Sequence, residues 1–447
     1  MKHITLIIIC FLFSIMSLGQ ENNYTFSLQE AIDFALENNR AAKNAIRDVE
    51  IAEKEKWGAT ATGLPQINGN VDYQNWIKQQ VSLLPGEIAG GAPGTFVPVT
   101  FGTKQSMNLG ATLNQLLFDG SYLVGLQAAK VYLLISENSK TKTDLEVRKA
   151  VINAYGNVLL AEKSLDIVNN NISVLQKNLD ETTKIYENGL EEEESVEQLQ
   201  ITLSSLKSYL NNNIRLKDLA YKMFNISLGL DLNTNTILTD DLETLTLQNI
   251  SLDLLSTEEN VENTIDYRIA ANYMETTELQ LKLEKSTFLP SLNAFVSAGY
   301  NGFSDKFTFT NTNQEWFGQA QFGVGLSVPI FSSGMRSAAT QRAQINVEKA
   351  KEELTQTEQE LRFQIANAKS DYQFAIEEYT NKKENLDLAE RIESKNETKF
   401  FEGIATSFDL RQAQTQLYTA QQEYLQAMFN VIAKKAELET ILNTVNY

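Results

Sequence analysis

The chain has 447 residues, with 38 lysines and arginines against 57 aspartates and glutamates and a formal charge of −19. That balance disfavours nucleic acid or anionic lipid as a partner, and fits either plain solubility or a surface or lumen that favours cations. Proline numbers only 6, and the single histidine, His3, and single cysteine, Cys10, both lie at the very start.

That start reads as a secretory signal peptide over 1–19: Lys2, an apolar run from Ile4 to Leu18, then small Gly19 before Gln20. Cys10 sits inside the apolar run, ahead of Phe11-Leu12-Phe13, and reads as part of the signal rather than as a lipid attachment site. Cleavage removes Lys2, His3 and Cys10 together, leaving a charge of −20 and a mature chain with no imidazole and no thiol. Ser-His-Asp and Cys-His nucleophiles, His- or Cys-ligated zinc and disulfides are thereby excluded. Carboxylate-only catalysis or an oxygen-ligand metal site survives, but no paired-acid or D-x-D-x-D-G arrangement stands out, so no enzyme activity and no cofactor is expected. No apolar run of the mature chain approaches the ~20 residues of a membrane helix. Any membrane span must be β.

The first repeat, 20–228, begins with a short helix over about 27–62. "GLPQINGNVDYQ" then alternates strictly, with Ile67, Gly69, Val71 and Tyr73 on one side and Gln66, Asn68, Asn70, Asp72 and Gln74 on the other. A soluble sheet over a core and a strand between lipid and water both show this period. A second strand sets Met107, Leu109, Ala111 and Leu113 against Asn108, Gly110, Thr112 and Asn114, giving a hairpin over about 64–118. Between the two, "LLPGEIAGGAPGTFVPV" is too rich in Gly and Pro to continue a ladder and is expected to be an exposed extracellular loop.

From about 121 to 188 the residues Val147, Val151, Ala154, Val158, Ala161, Leu165, Val168, Ile172, Leu175 and Leu179 alternate steps of four and three. This is a coiled-coil seam of period 3.5. A helix of that length spans roughly 100 Å. It ends at Gly189, and Glu191, Glu192, Glu193 and Glu194 open a short helix reaching to about 228. Residues 229–258 lose the heptad, gain Asn, Asp and Thr, and read as a small irregular equatorial belt.

The second repeat, 259–447, restates the first. A short helix to about 288 leads to "FLPSLNAFVSAGY", where Leu292, Ala294, Val296, Ala298 and Tyr300 oppose Ser291, Asn293, Ser297 and Gly299. Ala320, Phe322, Val324, Leu326 and Val328 against Gln321, Gly323, Gly325 and Ser327 complete a hairpin over about 289–331. A second long helix, about 335–402, carries Leu361, Ile365, Ala368, Tyr372, Ala375, Tyr379, Leu386 and Ala389 at an offset of 214, with Lys382 as the polar exception. It ends at Gly403, again 214 residues after Gly189, before a last short helix over about 407–443. Pairs of short helices stacked end to end match each long one in length, so the helices build either a buried four-helix core or something more extended.

Four strands cannot close a barrel, and open edges cannot lie in lipid with unpaired N–H and C=O groups. Two chains would give about eight strands, too narrow for an open channel, and three give about twelve. The apolar residues would then face lipid and the polar ones (Asn68, Asn70, Asp72, Asn108, Asn114, Asn293 and Gln321) line water.

The doubled plan, together with "FLPSL", "VPIFSSG" and "FFEGIATSFDLRQAQTQL", resembles the TolC-like outer-membrane efflux proteins from Phe26 to about Leu442. The resemblance implies a mainly α fold with membrane β. Long coiled-coil helices would form a trimeric α-barrel in the periplasm, continued by a twelve-stranded β-barrel in the outer membrane of a Gram-negative cell. It implies a passive exit duct that docks on a periplasmic membrane-fusion adaptor and an inner-membrane pump, in tripartite efflux or type I secretion of drugs, metals or proteins. The helix-turn tips at Gly189 and Gly403 would meet the adaptor, and acidic residues just beyond them would constrict the entrance. Asp409 falls where the family often has its pore-facing aspartate, whereas its second acidic position is Gln412 and its basic position Ala405. In the first repeat Ser195 stands at the equivalent of Asp409, preceded by Glu191–Glu194, which equally read as solvated helix-start charges favoured by the dipole. The competing class is a periplasmic or surface coiled-coil scaffold without channel activity, which leaves the two-faced strands unexplained.

Overall fold

The computed structural model describes residues 24–256 and 260–444, so the expected signal peptide, with His3 and Cys10, lies outside the described residues. In chain order the first half forms β1 (Tyr24–Phe26), α1 (Leu28–Asn38), α2 (Arg40–Ala61), β2 (Gln66–Asn75), β3 (Val81–Pro85), β4 (Phe96–Thr100), β5 (Gln105–Phe118), α3 (Gly120–Glu187) and α4 (Glu193–Leu228). There follow β6 (Thr236–Leu238), α5 (Leu242–Gln248), α6 (Asp253–Ser256), α7 (Ile265–Ser286), β7 (Ser291–Ser304), β8 (Trp316–Ser327), α8 (Met335–Phe401) and α9 (Ser407–Leu442). The chain divides into two compact units, one from the described parts of Met1–Glu50, Ile135–Ala271 and Glu353–Tyr447, the other from Ile51–Leu134 and Asn272–Glu352.

The first unit is helical, and its core is the pair of seams. Val147, Val151, Ala154 and Val158 of α3 and Leu361, Ile365, Ala368 and Tyr372 of α8 are buried in one cluster with Phe224 and Leu228 of α4 and Leu425, Met428 and Ile432 of α9. Each such aliphatic side chain removed from water is worth about 1.5–3 kcal/mol, which is what holds helices whose outer faces are polar. Farther along α3, Leu175 and Leu179 pack with Val196, Leu199, Leu203 and Leu206 of α4. The polar exception Lys382 reaches Glu423 of α9 at 3.0 Å.

Two features depart from the expectations. The first short helix is not continuous over 27–62 but breaks at Asn39. There Asn39 Oδ1 accepts from Ala41 N at 2.7 Å, capping α2, and Asn39 Nδ2 donates to Ser227 O at 2.8 Å, tying the break to the end of α4. The side chain offers the backbone a better partner than another helical turn would. The belt, expected to be irregular, contains α5, α6 and β6, and β6 pairs in parallel with β1, Tyr24 opposite Thr236 and Phe26 opposite Leu238. Three-residue strands carry too few positions to show a period.

The belt is anchored by the buried tyrosines of the long helices. Tyr155 of α3 shares its phenolic proton between Phe26 O, 3.0 Å away, and Asp240 Oδ2, 2.8 Å away, while Leu28 N donates to the same Asp240 oxygen at 2.7 Å. Burial and then the Asp240 carboxylate hold the phenol above the usual tyrosine range, so it stays a donor. Tyr372 of α8 accepts from Ser251 N at 2.9 Å and donates to Asn249 O at 2.6 Å. Asn225 is buried and fully used: its Nδ2 donates to Leu232 O and Thr234 O, and its Oδ1 accepts from Thr236 Oγ1.

The second unit holds an antiparallel sheet in the order β2-β5-β7-β8. Its register aligns like with like. One row reads Ile67, Leu113, Val296, Phe322 and the next on that face Gly69, Ala111, Ala298, Ala320, whereas the row between them reads Asn68, Thr112, Ser297, Gln321. The apolar face is open: Ile67, Val71 and Phe322 are 72%, 68% and 71% exposed. Tyr73, Phe307, Phe309 and Trp316 cluster at the end of the sheet away from the helix junctions. The Gly- and Pro-rich segment corrects a further expectation. It is exposed but does form a ladder, β3 with β4, in which Pro98 faces Leu83 and Pro85 faces Phe96. A two-stranded ribbon has only edges, and proline is tolerated there because its missing N–H can point outward.

Replacing Tyr155 with Phe leaves Asp240 short of one donor inside the belt and should cost about 1–3 kcal/mol. Denaturant unfolding with amide exchange at the start of α1 measures this. An unchanged midpoint and unchanged exchange would show that the belt is held by packing alone.

Candidate channel site: helix turns and the polar sheet face

Both long helices end in the same backbone device. After α3, Gly189 N donates to Tyr186 O and Leu190 N to Ile185 O; after α8, Gly403 N donates to Phe400 O and Ile404 N to Lys399 O. These are Schellman motifs, which need a left-handed residue. Gly189 and Gly403 supply it with φ of 74° and 71°, and nothing lies within 4 Å of the Cβ either would gain, so conformation rather than crowding demands glycine. The residue after each glycine is apolar and left in water, Leu190 at 78% and Ile404 at 71% exposure. In this motif that residue commonly packs back on its own helix. Here it does not.

The helices that follow are started differently in the two repeats. Asp409 of α9 forms a capping box with Thr406: its Oδ2 accepts from Thr406 N at 3.0 Å and Oγ1 at 2.7 Å, and Asp409 N donates back to Thr406 Oγ1 at 3.2 Å. Those bonds, with Lys399 a lesser influence, hold its carboxyl below the usual aspartate range, and the side chain is exposed. In α4 the N-cap is Glu192, with no side-chain cap bond, and Ser195 Oγ donates to Glu191 Oε1 at 2.7 Å. Glu193 and Glu194 occupy the first turn, where the helix dipole favours them, and Glu194 Oε1 accepts from Gln198 at 2.8 Å. Among the described residues no hydrogen bond or ion pair joins these glutamates to Asp409. Exposed Phe408, with the Arg411 guanidinium 5.3 Å from its ring centroid, adds an apolar group to the same turn that the charge pattern gave no reason to single out.

On the sheet, Asn68, Asn70, Asp72, Asn108, Asn114, Asn293 and Gln321 all share the face opposite Ile67 and Val71. Asn70 donates to Asp72 Oδ2 at 2.5 Å, and Thr112 donates to Ser297 Oγ at 3.2 Å across strands. Asp72 is the one acidic residue among the paired residues of this face. The face also contains aromatics that the alternation leaves unremarked. Phe295 lies over Gly323, where a Cβ would come within 2.5 Å of its ring, and Phe303 and Phe317 sit with centroids 6.1 Å apart. Glycine at 323 makes room for the Phe295 ring.

The comparisons with known proteins follow this division into repeats. The outer membrane efflux protein family matches residues 31–216 and again 259–444. The Escherichia coli (strain K12) outer membrane protein TolC is 24% identical over 173 residues, 37% of this chain and 35% of TolC. The alkaline protease secretion protein AprF of Pseudomonas aeruginosa is 24% identical over 165 residues, 37% of this chain and 34% of AprF. The chain thus spans about a third of the length of the curated relatives it matches. A crystal structure of CusC, described in connection with transmembrane channel formation, shares the fold with a TM-score of 0.74 at 18% identity, over 93% of this chain and 91% of that one. Both repeats carry the family pattern and the fold agrees along nearly the whole length, so the chain belongs to the outer membrane efflux protein family.

Proposed function

We propose that the protein is a passive outer-membrane exit duct of a tripartite efflux or type I secretion system, a homotrimer that receives substrate from an inner-membrane pump through a periplasmic adaptor. The observation that carries this is the sheet: its apolar face is open, and β2 and β8 are unpaired edges. Strand directions alternate through β2-β5-β7-β8, so β8 of one copy can pair antiparallel with β2 of the next, and such head-to-tail contacts close into a ring. Three copies supply about twelve strands, within the range of outer-membrane barrels. The helices support the same assembly. Beyond its buried seam, α4 exposes a second apolar row, Ile201, Leu216, Leu219, Met223 and Ile226, which fits a coiled-coil contact with a neighbouring copy. Apolar rows face lipid and the Asn-rich face lines water. Most of the chain then lies in the periplasm of a Gram-negative cell.

The turns at Gly189 and Gly403 present Leu190 and Ile404 for the adaptor, and Asp409 with Glu191–Glu194 give the entrance its negative potential. Purified in detergent, the protein is expected as a trimer by native mass measurement; a stable monomer overturns the reading. Protease added to intact cells should cut between Gly86 and Gly94 in the β3–β4 ribbon, and protection there with cutting near Gly189 would invert the topology.

In planar bilayers at low salt the channel should be cation-selective, because like charges around a narrow pore attract counter-ions until salt screens them. Asp409→Asn should reduce the selectivity, and changing Glu191–Glu194 to Gln should reduce it further. Asp409→Asn also disturbs the capping box, so an unchanged trimer mass separates lost selectivity from lost fold. Selectivity unaffected by Asp409→Asn and abolished by the glutamate change alone would put the constriction on the first repeat.

A further inference from the structure

A buried polar layer lies among α3, α8 and α9 on the way to the Gly403 turn. Asn171 of α3 donates to Gln421 of α9 at 2.8 Å, an amide pair satisfied across the helix packing. One heptad nearer the turns, the corresponding amides are Asn178 and Gln414, and the pairing changes. Asn178 donates instead to Glu397 of α8, at 2.9 Å. Gln414 is 1% exposed, and neither its oxygen nor its nitrogen has a hydrogen-bond partner.

Glu393 stands one turn before Glu397 on α8, and the Gln414 amide approaches it without meeting hydrogen-bond geometry. Burial pushes the Glu393 carboxyl above the usual range, the Glu397 charge adds to this, and Gln414 opposes both. Tyr418, one turn beyond Gln414 on α9, is pushed up by burial and by both glutamates. Asn178, the group facing from α3, is neutral.

Three deficits therefore coincide. Two carboxylates stand at i, i+4, Glu393 is partly desolvated, and a fully buried amide is unpaired. All are relieved by one positive charge with room for oxygen ligands. We propose that Glu393, Glu397 and the Gln414 side-chain oxygen bind a hard divalent cation of the calcium class, which clamps α8 to α9 beside α3. Calcium suits an irregular oxygen set with water completing the shell, whereas magnesium demands near-octahedral geometry and zinc prefers the nitrogen and sulfur ligands missing here. Two carboxylates make a weak site, with a dissociation constant of about 10⁻⁴–10⁻³ M. The site lies within a single chain and stands independently of the channel reading.

The test uses the full-length protein in detergent, stripped with EDTA and titrated with calcium chloride, read by thermal unfolding and by calorimetry. The midpoint should rise by roughly 2 °C or more at millimolar calcium, and less with magnesium. Glu393→Gln and Glu397→Gln should each abolish the rise. Gln414→Leu replaces the unpaired amide with hydrocarbon of similar size, so it should raise the calcium-free midpoint while weakening the calcium response. The assignment is overturned if the wild-type protein shows no calcium response or if the double glutamine variant keeps it. A midpoint that rises on acidification alone, without any calcium effect, would show that the layer takes a proton and would equally overturn it.

Discussion

Side chains of a strand alternate with period two, so a register that sets Ile67 beside Leu113, Val296 and Phe322 forces the rest of each strand to follow. A slip of one residue anywhere would put Asn or Gln among the aliphatics. The register therefore makes a sheet with one greasy and one wet face, and leaves the greasy face open with unpaired backbone at β2 and β8. A surface of that kind needs an apolar neighbour, and where that neighbour is hydrocarbon the unpaired N–H and C=O groups of its edges need further strands. Among the described residues no helix is long and apolar enough to cross a membrane.

The helices answer to a different constraint. Their outer faces are polar, so their order depends on the seams meeting one another, and the seams are narrow. Where an apolar position is lost, something specific replaces it, as when Lys382 pairs with Glu423. The two repeats keep the same turn because the left-handed glycine is a backbone requirement. They differ in how the next helix begins: Thr406 and Asp409 form a capping box in one, whereas in the other the N-cap Glu192 makes no side-chain cap bond and Glu193 and Glu194 meet the helix dipole instead. Turn geometry is thus held while turn chemistry varies.

Buried polar groups mark two places of opposite character. At the belt, Tyr155, Tyr372 and Asn225 have every partner they need, and the network fixes how a strand and two short helices sit on the long helices. In the layer at Gln414 the partners are missing. A satisfied network rigidifies, whereas an unsatisfied one is costly unless a ligand completes it.

By itself the sequence determined everything periodic. The 3.5-residue seams from Val147 to Leu179 and from Leu361 to Ala389, the alternation around Ile67 and Leu292, the glycines 214 residues apart and the doubled plan that places Asp409 beside a turn are all local patterns, legible because side-chain direction follows backbone period. Only the tertiary structure decided what depends on contacts between distant residues. The pairing of β1 with β6, the break at Asn39 and the β3–β4 ribbon each rest on a partner far along the chain or on too few residues to carry a period. The same holds for the site. Asp409 is an acid in any reading of the chain, but that its carboxylate caps α9 is a matter of two hydrogen bonds, and that Gln414 meets Glu393 is a matter of how two helices pack. Periodicity says which face a residue is on; distance alone says what it touches there.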